Sequence, residues 1–141
     1  MIAHSFSAGT VQRLGIILKI KYKKDTEVTL SDMKEVTKIR KKLFGEESYC
    51  SLIDLSQDNL TMSSEARKYV TDSPIIRKLR IAEVLLVKNF AQKIGVHTYV
   101  RISRWKDNIT VMTVKDEENA IHWLERQYRK HQEKELSSAE K

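Results

Sequence analysis

Residues 52–70, LIDLSQDNLTMSSEARKYV, contain the transition around which the predicted fold is organised. An apolar run ends at Asp54, and a polar loop leads from there to Ser63 and Ser64, which open a helical pattern. The apolar run begins upstream, in YCSLIDLS, and is apolar on both faces at its centre, as in a strand buried inside a parallel sheet. We therefore predict a central strand followed by a helix that crosses over to the next strand.

A second apolar run, IAEVLLV at residues 81–87, repeats this strand pattern. Because such strands need cover on both faces, we predict that CSLIDL and VLLV are adjacent parallel strands at the centre of the sheet. Between them, Ser73 and Pro74 have the residue types of a helix cap and a first helical position, so they predict a short helix through Leu79. ITVMTV, at residues 109–114, predicts the last strand.

The N-terminal half predicts a hairpin and a helix. In residues 13–23, RLGIILKIKYK, apolar side chains alternate with lysines, which is the pattern of a strand with one buried face. TEVTL, at residues 26–30, is close enough to pair with it as an antiparallel hairpin. Ser31 is predicted to cap the next helix, and Gly45 to end it. The whole pattern predicts a single, mostly parallel, mixed α/β sheet of about five strands with four to five helices.

Residues 89–105 fit two structures. Several apolar residues suit one face of a helix, whereas residues 96–102, VHTYVRI, also alternate and are rich in β-branched side chains. The helix is the favoured interpretation, and the segment has more apolar side chains than one sheet-facing stripe requires. The surplus predicts cover for a neighbouring helix, a homodimer contact or the lining of an apolar ligand pocket. The candidate residues for an interface or ligand patch are Phe90, Val96, Tyr99, Val100 and Trp105.

Length and charge set the broad class of the protein. We predict one domain over residues 12–130, a flexible N-terminus over residues 1–11 and a polar tail over residues 131–141. The formal net charge is +7, but acidic residues separate the basic groups, which makes nucleic acid a disfavoured partner. The longest apolar run, GIILKI, is far too short to span a bilayer, so a cytoplasmic protein is expected.

Titratable side chains give no catalytic or metal-binding signature. The four histidines form none of the short metal motifs, and the single cysteine, Cys50, cannot build a thiolate cluster. We therefore expect no metal, no cofactor and no enzymatic activity. Cys50 is predicted to be a buried, inert thiol. Glu83 lies in an apolar strand and is predicted to reach water at the strand end.

Three stretches together resemble a family. They are ILKIKYKKDTEVTLSDMKEV, SLIDLSQDNLTMSSEARKYV and DEENAIHWLE. Over about residues 12–128 the chain resembles a bacterial STAS/SpoIIAA-like domain, and most closely the branch whose members have a similar S-x-E-A-R helix start. The wider superfamily includes anti-sigma-factor antagonists, and its fold is shared with CRAL-TRIO-type lipid-binding domains. The match is one of whole-chain pattern, so it implies a fold more strongly than a function.

The resemblance also suggests a regulatory junction. In the antagonists, a partner kinase phosphorylates a serine at the start of the helix that follows the central strand. The matching positions here are Asp54 at the strand end and Ser63 or Ser64 at the helix start. The antagonists usually carry a glycine-bearing turn after that serine, whereas this sequence has Glu65-Ala66-Arg67. The residues themselves favour Ser63 as a helix cap and Asp54 as an acceptor for loop amides, with a regulatory hydroxyl as the alternative.

Three functions follow from these features. The favoured one is a non-enzymatic protein-interaction or regulatory module that binds a protein partner, including a second copy of itself. The alternative is a carrier of an apolar small molecule or lipid, by analogy with the shared fold. The third is a basic binder of nucleic acid or anionic membranes. An enclosed apolar pocket would favour the carrier, and basic groups clustered on one surface would favour the third function.

Overall fold

The computed structural model describes the backbone of residues 2–103 and 108–139, and the side chains of residues 2–96 and 108–138. The described chain forms strands, helices and one short 3₁₀ turn at Val114–Asp116. In chain order the strands and helices are β1 (Ala3–Phe6), β2 (Gly9–Leu14), β3 (Ile17–Tyr22), β4 (Thr26–Val28), α1 (Leu30–Phe44), β5 (Tyr49–Asp54), β6 (Leu60–Met62), α2 (Ser64–Asp72), α3 (Pro74–Leu79), β7 (Arg80–Val87), α4 (Phe90–Ser103), β8 (Ile109–Thr113) and α5 (Glu117–Ala139).

The main sheet is mixed and has the strand order β1-β2-β3-β5-β7-β8. β1, β2 and β3 form an antiparallel meander, while β3, β5, β7 and β8 run parallel. The predicted mixed α/β architecture is confirmed, with six strands in place of about five. The adjacent parallel pairing of the two apolar runs is also confirmed, since Leu52 pairs with Val84 and every residue of β5 is buried.

The predicted hairpin between residues 13–23 and 26–30 is wrong. β3 pairs antiparallel with β2, which precedes it, and β4 pairs in parallel with β6 in a separate two-stranded sheet. Gly15 explains the error, because its φ of 61° is the left-handed conformation that a tight turn uses. The stretch predicted as one strand is therefore divided by a turn into β2 and β3.

Both ends of the chain are more regular than the sequence suggests. β1 and β2 occupy residues 3–14, where a flexible segment was expected over residues 1–11. Phe6 is buried there and meets the ring of Tyr22 edge to face, with centroids 6.2 Å apart. At the other end, α5 continues through Ala139, so residues 131–139 of the expected polar tail are helical.

The helix caps correct one prediction and confirm two others. Thr29, and not Ser31, caps α1: its Oγ1 accepts from Asp32 N at 3.3 Å, and Asp32 Oδ2 accepts from Thr29 N at 2.8 Å. This reciprocal pair is a capping box. Ser73 caps α3, and Pro74 is its first residue, as predicted.

The helical interpretation of residues 96–102 is confirmed, because α4 extends through Ser103.

The helices are divided unequally between the two faces of the main sheet. Among the described helices, α5 alone packs on one face, where Ala120 and Leu124 cluster with the side chains of Cys50, Leu52 and their neighbours. α1, α2, α3 and α4 cover the other face through a second core cluster. None of the helices within the described ranges is both long and apolar enough to cross a membrane. The four-helix face is where the candidate site lies.

Candidate functional site

A cavity of about 340 Å³ lies between the main sheet and helices α1 to α4. Side chains alternate between the two faces of a strand, so every second residue of β3 and β5 points into it. The cavity-facing residues of these strands are Leu18, Ile20, Tyr22, Tyr49, Ser51 and Ile53. The residues between them, such as Cys50 and Leu52, face α5. The sheet thus supplies a largely apolar floor with polar atoms towards the start of β5.

A β-bulge changes which residues of β7 reach the cavity. Tyr49 of β5 pairs with Arg80, but Ser51 pairs with Glu83, so β7 has one more residue than β5 in this interval. A bulge of this kind shifts the alternation of side chains by one position. As a result Arg80 and Glu83, although three residues apart in a strand, both line the cavity.

Arg80 and Glu83 form a buried ion pair at the cavity wall. Arg80 Nη1 is 3.3 Å from Glu83 Oε1, and each side chain is 6% exposed. Ser51 Oγ also donates a hydrogen bond to Glu83 Oε1, at 2.9 Å. The prediction that Glu83 reaches water is therefore wrong: the bulge turns its carboxylate inward, where it has a guanidinium and a hydroxyl as partners.

Arg40 of α1 places a second buried guanidinium on the cavity. Its Nη1 donates to the carbonyl oxygen of Gly45 at 3.1 Å, and its Cζ lies 5.8 Å from the centroid of the Tyr49 ring. Within the ranges that the structure describes, no carboxylate is within ion-pair distance of Arg40, and its Nε has no hydrogen-bond partner.

Tyr49 joins these groups into one polar cluster. Its burial raises the pKa of the phenol to about 12, while the charges of Arg80 and Arg40 act to lower that pKa and the charge of Glu83 acts to raise it. All three charges are therefore close enough to act on a single hydroxyl. The polar cluster is defined by Arg40, Tyr49, Ser51, Arg80 and Glu83.

The remaining walls of the cavity are mainly apolar and come from the helices. They include Met33, Val36, Val70, Ile76, Leu85 and Val96. Arg67 of α2 also lines the cavity but is exposed, so the cavity reaches solvent beside that helix. The complete shape is an apolar chamber with a buried polar cluster and an opening at α2. Such a chamber suits a ligand with an apolar body and a polar group.

The predicted regulatory junction is not part of this chamber. Ser63 caps α2, since its Oγ accepts from Ala66 N at 3.1 Å, and Ser64 is the exposed first residue of the helix. Asp54 is buried, and its Oδ1 accepts from Ser56 N at 2.9 Å and from Ser56 Oγ at 2.5 Å. The predicted cap and loop bonds are confirmed. In the sequence, β6 separates Asp54 from Ser63. The side chain of Asp54 bonds to Ser56, and that of Ser63 bonds to the first turn of α2.

The predicted interface or ligand patch is divided by the structure. Phe90 is 70% exposed, and Ile94, one helical turn later, is 55% exposed. Val96 instead lines the cavity. Tyr99 and Val100 lie in α4 but their side chains are outside the described residues, as is all of Trp105.

Sequence reasoning missed Arg40 and Arg80 as site residues, because both were counted among scattered basic groups. One signal was present for Arg40: it follows Met33 and Val36 along the apolar stripe of α1 and precedes Phe44 on the same buried face. A charged residue on a buried stripe is the informative exception. No sequence signal marked the bulge that turns Arg80 inward.

In the part of the chain that the structure describes, Cys50 and the acidic residues form no second site. Cys50 is buried between β5 and α5, as predicted, and burial raises the pKa of its thiol to about 12. Across residues 2–103 and 108–139, no group of three or more histidine, cysteine, aspartate or glutamate residues is placed to hold a metal ion.

Comparison with known proteins agrees with the fold. The family model for a domain of unknown function, DUF7793, matches residues 12–128. The chain belongs to the DUF7793 family. No curated protein matches this DUF7793 chain. A solved structure that resembles it is an uncharacterised protein from the DUF3478 family, with a SpoIIAA-like fold, from Shewanella loihica PV-4.

The similarity to the Shewanella protein is one of fold alone. The TM-score is 0.56, the sequence identity is 16%, and the alignment covers 86% of this chain and 98% of the other. The SpoIIAA-like fold expected from the sequence is thereby confirmed for this DUF7793 domain.

Proposed function

We propose that this protein is a binding module that holds an apolar or amphiphilic small molecule in the cavity between the main sheet and helices α1 to α4. The observation that carries the proposal is the cavity itself, with a volume of about 340 Å³ and mainly apolar walls. Ligand pockets typically have volumes of roughly 300–1,000 Å³, mostly apolar linings and a few convergent polar groups. Arg40, Ser51 and Glu83 are such polar groups here.

Packing energetics support an occupant. Protein interiors are close-packed, so an apolar chamber without an occupant lacks dispersion contacts that a bound apolar molecule would supply. An engineered apolar cavity of ~150 Å³ already binds benzene. A chamber about twice that size can take a larger molecule, such as a medium-length alkyl chain. Binding of this kind requires no chemistry from the lining side chains, in keeping with the expectation of a non-enzymatic protein.

Calorimetric titration with decanol tests the proposal. In the variant Val36→Phe, a larger side chain projects from the buried face of α1 into the cavity. Lys38→Phe introduces the same side chain at an exposed position of the same helix and is the matched control. We expect saturable binding to the wild type, binding about tenfold weaker or worse to Val36→Phe, and wild-type binding to Lys38→Phe. Absence of binding to the wild type, or equal loss in both variants, would contradict the proposal.

A second candidate is self-association through α4. Phe90 and Ile94 favour it, because two large apolar side chains one turn apart on a helix are exposed together. Sedimentation velocity at high micromolar concentration compares the wild type with Phe90→Glu. A dimer that the substitution converts to monomer would support this candidate, whereas a monomeric wild type would exclude it.

A further inference from the structure

Among the described side chains that line the cavity, Arg40 is a buried cation with no carboxylate within ion-pair distance. We propose that the cavity binds an aliphatic carboxylate, with the carboxylate on the Arg40 guanidinium and the alkyl chain along the apolar walls. This inference rests on the proposed function and specifies the class of its ligand.

The burial of Arg40 is costly without an anion. The residue is 4% exposed, and its single hydrogen bond among the described residues goes from Nη1 to the Gly45 carbonyl oxygen. A guanidinium has five N–H donors in a fixed fork, and a buried charge is normally paired. Nε is fully buried and has no acceptor in the described chain. A carboxylate in the cavity would neutralise the charge of the guanidinium as a whole.

The charges around Arg40 favour an anion over a cation. The described lining carries the guanidiniums of Arg40, Arg67 and Arg80 but one carboxylate, that of Glu83. Glu83 would repel a ligand carboxylate, but its Oε1 is already contacted by Arg80 Nη1 and Ser51 Oγ. Arg67 is exposed at the opening, where it is screened by solvent. Arg40 is therefore the buried positive group without a carboxylate partner in the described lining.

The surroundings of Arg40 hold the guanidinium in place before a ligand arrives. It lies near the C-terminal end of α1, where the helix dipole favours a cation, and against the ring of Tyr49. These contacts reduce the cost of ordering the side chain on binding. The same contacts could also account for Arg40 as a purely structural residue. A comparison of charged and neutral ligands separates a structural role from an anion-binding role.

The test compares decanoate with decanol at neutral pH, by calorimetry on the full chain. The two ligands share the alkyl chain and differ in charge. We expect the wild type to bind decanoate at least about tenfold more tightly than decanol, as for a charge-assisted hydrogen bond. Arg40→Met keeps a long apolar stem and is expected to lose this preference, so that it binds decanoate no more tightly than decanol. Arg67→Met, which removes the exposed arginine at the opening, is expected to keep the preference.

Each contrary outcome has a distinct meaning. Equal affinity of the wild type for both ligands, or a preference that survives in Arg40→Met, overturns the role of Arg40 and leaves the cavity as an apolar site. Binding of neither ligand overturns the proposed function and this inference together. If Arg40→Met does not fold, Arg40→Lys keeps the charge but loses Nε and the planar fork. It is expected to weaken decanoate binding several-fold, and an unchanged affinity would overturn the proposal.

Discussion

Arg80 and Glu83 lie three residues apart on β7 and face the same cavity, with Nη1 of the arginine 3.3 Å from Oε1 of the glutamate. The regular alternation of a strand would put them on opposite faces of the sheet. The bulge between β5 and β7 brings them together, so a backbone irregularity is what creates the charged part of the site.

Glu83→Gln is expected to lower the free energy of unfolding by about 3 kcal/mol, because it removes the charge that faces a buried guanidinium. Denaturant unfolding measures the change. Glu35→Gln is the control, since the Glu35–Lys38 pair has an N–O distance of 3.7 Å and both of its side chains are exposed. That variant should lose no more than about 0.5 kcal/mol. Equal losses in the two variants would show that Glu83 is not an energetically important partner of Arg80.

Ser63→Ala is expected to destabilise the protein by about 1 kcal/mol, because the Ser63 hydroxyl accepts the Ala66 amide at the start of α2. Ser64→Ala should have a smaller effect, since Ser64 is the exposed first residue of the helix. Urea unfolding of both variants and of the wild type measures the two losses in the free energy of unfolding. A larger loss for Ser64→Ala would contradict the cap assignment. Incorporation of phosphate at either serine by a kinase from the native host would instead favour the regulatory hydroxyl.

Asp32 is expected to make stability depend on pH in the acidic range. Burial acts to raise its pKa, but the hydrogen bonds from Ser7 Oγ and from the Thr29 amide and hydroxyl outweigh it, so the pKa lies below its ordinary value. A lowered pKa in the folded state stabilises the fold above the unfolded pKa of about 3.9, and that contribution is lost as the pH falls through the folded pKa.

The variant Asp32→Asn tests this dependence. At neutral pH it should be less stable than the wild type by about 1–2 kcal/mol, because the substitution removes the carboxylate of the capping box. The difference should narrow as the pH falls below about 4. Thermal unfolding across an acid pH series measures it. A difference that stays constant through this range would mean that the Asp32 charge does not stabilise the fold.

The Cys50 thiol is expected to be unreactive in the folded protein. It is fully buried, and burial raises its pKa to about 12, so the reactive thiolate is scarce near neutral pH. Ellman's reagent should leave the native protein unmodified at mildly alkaline pH and react with one thiol after denaturation in guanidinium. Rapid modification of the native protein would show that the contact between β5 and α5 opens readily.

The elements that the sequence predicts well are those that pack in a uniform environment. The apolar runs of β5 and β7 predict their adjacent parallel pairing, because such runs are stable only between two layers of helices. The helix start at Ser63 is equally local, since one side chain and one amide determine it.

The features that the sequence does not predict depend on residues far apart in the chain. Gly15 fits either a strand or a turn until β2 is known to be the partner of β3. The bulge at Arg80 is defined only against the register of β5. Arg40 is identified as a site residue only when Tyr49 and the cavity are placed beside it. The candidate site was therefore largely missed, although its apolar ligand class was among the alternatives.

Intermolecular nuclear Overhauser effects between decanoate and methyl-labelled protein test the central claim most directly. If the cavity is the binding site, the alkyl protons of decanoate should give cross-peaks to the methyl groups of Ile20, Ile53 and Leu85, which line it on three different strands. Cross-peaks confined to the methyl groups of exposed Ile94, or none to any of these residues at saturating decanoate, would contradict a ligand-binding cavity.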